Sequence, residues 1–227
     1  SDALWFLKRS DDWVATIIIG GVLSLLSVLI IPAIILQGYY VRTMQAAARG
    51  DEAAPSFTDW GGLLVDGVKL LVVTLVWSLV AIVPAVALSA LLGLGTFLVA
   101  GSTTNPGMAP PPGPSLGLSL LGLVGGLLVF ALSLLAAYVV PAASANFAIE
   151  GNLGAGFDVR TIVNGALTGE YAIAWLLAIV VAVVLGTIGG ILSLVLVGVF
   201  VIFYVQVTTY YLWASGYADG LGQQSNW

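Results

Sequence analysis

Residues Pro55–Lys69 read PSFTDWGGLLVDGVK, and they stand between two long stretches that carry no charge, Val14–Val41 and Leu70–Ile149. A third uncharged stretch, Tyr171–Ala218, follows later in the chain. A membrane span needs roughly 20 predominantly apolar residues, so each stretch holds at least one span and the two longer ones hold more. Composition agrees. The chain is 60% hydrophobic and 7% charged with a mean hydropathy of +1.10, whereas a soluble domain carries about 25% charged residues. The expected class is an all-α polytopic membrane protein.

Five spans are expected, at about 14–41, 70–92, 117–149, 171–187 and 192–214, with six as the alternative count. The first run would form a helix of about 42 Å at 1.5 Å per residue, more than a hydrocarbon core of about 30 Å, and a kink at Pro32 would absorb the excess. It reads as a span rather than a secretory signal, because it is too long and no small-residue cleavage pattern follows. The segment 101–115, GSTTNPGMAPPPGPS, reads as a stiff uncharged loop. The glycines of GTIGG, from Gly186 to Gly190, divide the last run by a tight turn. Tyr39, Tyr40 and the group Tyr204, Tyr210, Tyr211, Trp213 and Tyr217 are expected as interface anchors.

Two inserts, 55–69 and 151–170, read as amphipathic and interfacial. In the first, apolar residues from Phe57 to Val68 recur at helical spacing, and Asp59 would favour the N-terminal dipole of a short helix feeding a span near Leu70. Phe57-x-Asp59 before Asp66-Gly67 has a counterpart in Phe157-Asp158 before Asn164-Gly165, and Pro32 and Pro141 lie inside the preceding runs. This is the mark of a weak internal duplication, seen in transporters and in proteins that transport nothing.

With five spans, Arg42, Arg49, Lys69 and Arg160 fall on one face with eight carboxylates, leaving Lys8 and Arg9 opposite. The positive-inside rule makes the charged face and the C-terminus cytoplasmic and puts the 101–115 loop outside. Lys8 and Arg9 are discordant. A first segment that turned back at Pro32 would reconcile them, with an even count and the N-terminus inside.

The sequence has neither Cys nor His, so disulfides, thiolate nucleophiles, Cys/His zinc sites and imidazole acid–base chemistry are excluded. No cofactor motif is present, because the glycines have no phosphate-binding order. Net charge is −5 with no run of Lys or Arg, which excludes nucleic acid and a polybasic lipid patch. No ionisable side chain lies within an expected span, against proton relays and ion-coupled transport. Gln37, Asn146 and Gln206 are the polar in-membrane candidates, and interhelical hydrogen bonding is their commoner use. Asp59, Asp66 and Lys69 are better read as surface charges than as an acid/base set, with Asp66 and Lys69 spaced i, i+3. Gly20 and Ser24, Gly122 and Gly126, and Gly186 and Gly190 are the expected helix-packing positions.

The motifs Asp59-Trp60-Gly61 and Asp66-Gly67-x-Lys69, with Asp12-Trp13 ahead of the first run and the terminal Gly216-Tyr217, resemble an uncharacterised archaeal membrane family, domain of unknown function 4013. The resemblance implies an archaeal source and no known activity. The expected function is non-enzymatic: association with membrane lipids, with itself as a homo-oligomer, or with a larger membrane complex as an accessory subunit. The alternative is a channel or uncoupled transporter for a small neutral solute.

Overall fold

The structure is a computed structural model that describes residues 2–101 and 116–222. The expected 101–115 loop falls almost wholly outside them. The described residues form eight α-helices and no strand: α1 Asp2–Trp5, α2 Trp13–Leu25, α3 Ile30–Ala48, α4 Trp60–Gly101, α5 Leu116–Glu150, α6 Val159–Ala166, α7 Gly169–Leu192 and α8 Gly198–Gly220. Four of these, α4, α5, α7 and α8, contain segments long and apolar enough to cross a membrane, and Trp13–Val28 is a shorter apolar helix. The chain is an all-α polytopic membrane protein. It divides into two compact units, Ser1–Thr74 with Tyr138–Trp227, and Leu75–Ala137.

In the first unit, α8 is the central element, its apolar window being the most buried of the four at 39%. It runs antiparallel to α7, where a Cβ on Gly216 would overlap Ala174, and one on Gly189 would press Ile202 at 3.1 Å. The same helix packs on α2, with Phe203 over Gly20 and Phe200 over Gly21. Along α3 it runs parallel, and the rings of Tyr40 and Tyr210 stack at 4.5 Å.

The expected single span over 14–41 is instead two helices folded back on each other. Residues 6, 20 and 21 meet 211, 203 and 200 of α8, so α2 descends where α3 ascends. The turn lies at Leu26–Leu29, a 3-10 turn ending on extended Leu29 at φ −86° and ψ 140°. Its arms are about 20 and 28 Å long at 1.5 Å per residue, neither exceeding a hydrocarbon core of about 30 Å. Pro32 therefore does not kink a helix; it sits in the first turn of α3, where its missing N–H removes one donor that would otherwise lack a partner. Backbone hydrogen bonds of Leu29 to Leu26 and of Ala33 to Leu29 close the turn.

Folding back brings the N-terminal segment to the charged end. The Ala54 amide donates to the Phe6 carbonyl at 3.1 Å, the Ser56 hydroxyl to Asp12 at 3.4 Å, and the Tyr204 hydroxyl to the Leu4 carbonyl. Gln45 at the end of α3 donates to the Ala148 carbonyl at 3.1 Å, so α5 joins the same end.

The insert 55–69 is not a separate helix. Residues 55–59 are non-helical, and from Trp60 onward the chain is the start of α4. The insert 151–170 is separate. Asn152 and Asp158 cap successive short helices, and Thr168 begins α7. On α6, Ile162, Gly165 and Ala166 are buried, while the apolar side chains of Val159 and Val163, and of Leu167 just beyond the helix, face outward.

The GTIGG turn is a third correction. Gly186–Gly190 lie inside α7, and the reversal falls at 193–197, with Leu196 left-handed at φ 63°. Gly198 closes it, because a Cβ there would strike the Gly189 carbonyl and the Ser193 amide. In the second unit, the close contact is made by Gly125 under Leu88, while Gly126 has open space around it and Gly122 only ordinary contact with Leu92.

Candidate functional site

The family-motif residues build a junction between α3 and α4. Asp59 adopts φ 48°, a left-handed conformation that Asp tolerates better than most residues, and its carboxylate accepts from the Gly62 amide at 3.2 Å as the helix cap. Arg42 of α3 binds the same carboxylate at 3.1 Å and also donates to the carbonyls of Thr58 and Asp59. Gly62 lies beneath this pair, and a Cβ there would overlap Asp59 Oδ2 and approach Arg42 at 3.0 Å. At the neighbouring Gly61 a Cβ would meet only Asp59 Oδ1, in ordinary contact at 3.9 Å, and Trp60 is 45% exposed. Further along α4, Gly67 lies against the Ile34 carbonyl, and Gly38 of α3 lies against the Leu63 carbonyl. The two backbones cross in direct contact, the use small residues have at membrane helix crossings.

Asp66 and Lys69 form a loose i, i+3 pair at 3.8 Å. Asp59, Asp66 and Lys69 therefore do not converge. Asp59 pairs with Arg42, a partner the sequence reading did not assign, although a lone cation inside an apolar helix end was a usable signal.

Tyrosines fasten the loops. Tyr39, fully buried, stacks on Phe57 at 4.1 Å and its hydroxyl donates to the Pro55 carbonyl at 2.9 Å. The hydroxyls of Tyr138, Tyr171 and Tyr217 donate to the carbonyls of Ala166, Tyr138 and Thr161. Tyr39 and Tyr217 were expected as interface anchors, but burial with a satisfied hydroxyl makes them packing elements. Asn146 belongs to this scaffold also. It is 1% exposed and its amide donates to the Ala155 carbonyl at 2.8 Å, securing the turn after α5, while its Oδ1 is buried without a hydrogen-bond partner.

Gln37 and Gln206, by contrast, meet in one place. They line a groove of about 460 Å³ between the end of α2, the Leu26–Leu29 turn, α3 and α8. Ser24, Ser27, Tyr40 and Tyr210 supply the rest of its polar lining, and Leu25, Leu36 and Ile202 are among its apolar walls. No charged residue lines it. The two serines are spent on the backbone, Ser24 donating to the Gly20 carbonyl at 2.7 Å and Ser27 to the Ser24 carbonyl at 2.6 Å. Ser24 is thus a groove residue more than a packing contact. Gln37 is different: its Oε1 is buried and has no hydrogen-bond partner. A buried acceptor left unpaired costs about 1–3 kcal/mol, so this position calls for a donor. The Gln206 side chain is exposed into the same space and offers both a donor and an acceptor.

Apolar helices, three of which line an uncharged polar groove, define a polytopic membrane protein. The chain matches, over residues 22–194, the family described as protein of unknown function DUF4013, and it belongs to that family. No curated protein and no solved structure matches it.

Proposed function

We propose that this protein acts by association in the cell membrane and not by catalysis, holding the uncharged, hydroxyl-bearing head of a membrane amphiphile in the α2/α3/α8 groove. The observation that carries this is the buried, unpartnered Gln37 Oε1 beside Gln206. A hydroxyl or amide N–H satisfies that acceptor, the Gln206 amide takes the ligand's own oxygen, and the apolar walls accept the first part of a hydrocarbon chain. A charged head would enter without a counter-charge, which a low-dielectric site penalises.

The positive-inside rule, applied to an end that gathers Lys8, Arg9, Arg42, Arg49 and Arg160, makes that end cytoplasmic. Protein partners fit the same reading, either further copies or a larger membrane complex in which this chain is an accessory subunit. Native extraction followed by lipid analysis tests the assignment. The wild-type chain is expected to retain an uncharged lipid that Q37L/Q206L loses while keeping its fold. Equal retention by both proteins contradicts it. A second reading, passage of a small neutral solute, is favoured by the polar lining alone. Vesicle flux above that of empty vesicles, abolished in Q37L/Q206L, would support that reading instead.

A further inference from the structure

A second recess lies on the N-terminal segment, at the charged end of the first unit. Trp5, Lys8, Arg9 and Trp13 line it, with a volume of about 580 Å³. The segment is fixed in place: Phe6 and Leu7 are each 1% exposed, and the Leu4 and Phe6 carbonyls accept from Tyr204 and Ala54. Its rings stay outside, Trp5 at 54% and Trp13 at 39% exposure, and the Lys8 ammonium sits 5.0 Å over the Trp5 ring. The carboxylates of Asp11 and Asp12 are not part of the lining, and Asp12 accepts from Ser56. Immediately beyond Trp13, the exposed side chains Val14, Ile18, Val22 and Leu25 form a continuous apolar stripe down α2.

We infer that this recess seats the phosphate of an anionic phospholipid, whose acyl chains run down the α2 stripe. The guanidinium and the ammonium supply charge-assisted donors to phosphate oxygens. Indole rings settle at the headgroup level, with an apolar body and one N–H donor. The recess is a discrete two-cation seat rather than a polybasic patch. It is independent of the uncharged groove, which shares none of its residues.

Titration of the full chain in detergent with phosphatidylglycerol or phosphatidylcholine, read by native mass spectrometry, tests this. Phosphatidylglycerol is expected to bind more tightly, with about a fivefold loss for each cation removed and about thirtyfold for K8Q/R9Q. Phosphatidylcholine, whose choline offsets the charge of its phosphate, is expected to lose less than phosphatidylglycerol, K8R to retain the preference, and Q37L/Q206L to leave it intact. On the unmodified chain, the preference falls as salt is added. A preference that survives in K8Q/R9Q, an equal loss for both lipids, or insensitivity to salt overturns the inference. Displacement of the lipid by inorganic phosphate beyond that caused by chloride at the same ionic strength overturns it also, by assigning the recess to a soluble anion.

Discussion

Gly61 and Gly67 stand less than two turns apart on α4 and carry opposite constraints. A methyl group on Gly67 would enter the Ile34 carbonyl of α3, so G67A is expected to lose about 1–3 kcal/mol through forced separation of the helices. G61A, whose added methyl makes only an ordinary contact with Asp59, should change stability by no more than about 0.5 kcal/mol. Thermal melts in one detergent compare the two, and an equal effect contradicts the backbone crossing. Asp158 gives a pH signature. The Thr161 hydroxyl at 2.7 Å, and then its amide, hold the Asp158 carboxyl below its usual range. A depressed acid contributes to folding above its unfolded pKa of about 4, and the contribution is lost as pH falls through the lower folded value. Protection of the Thr161 amide from exchange should therefore fade only at strongly acid pH, while D158N should show a flat profile over the same range.

The α2/α3 hairpin is the element on which the site depends, because its turn and two arms form most of the groove. The sequence contains no cysteine, so single-cysteine variants report cleanly on it. D11C and E52C are expected to react with an impermeant maleimide from the same side of the membrane. Reaction from opposite sides would restore one kinked span over 14–41. The uncharged runs gave the class, but the first run read as one span kinked at Pro32, with a segment turned back there only as the alternative that would reconcile Lys8 and Arg9. The turn itself was hidden, since Leu26-Ser27-Val28-Leu29 has neither Gly nor Pro, and packing of Phe200 and Phe203 on Gly21 and Gly20 positions it. The opposite error occurred at GTIGG, where glycines that look like a turn are helical and Gly189 is used for contact with α8. Glycine type alone cannot separate close packing from chain reversal, because both exploit the missing side chain.

At the scale of the molecule, charge and polarity are segregated. Lys8, Arg9 and Arg42 lie with the capping carboxylate of Asp59 towards one end of the first unit, and the groove that leads away from that end is polar but uncharged. Gln37 and Gln206 were legible as in-membrane polar residues; their convergence was not, because it depends on α3 and α8 lying parallel with Tyr40 stacked on Tyr210. Asn146, chemically similar, is placed on the turn after α5 and takes no part in the groove. A density map of the full chain, purified with its native lipids, tests the central claim most directly. It should show an elongated ligand between α2, α3 and α8, with a polar atom within hydrogen-bond distance of Gln37 Oε1. A closed α3/α8 seam, in which Gln37 and Gln206 bond only to each other, would contradict it.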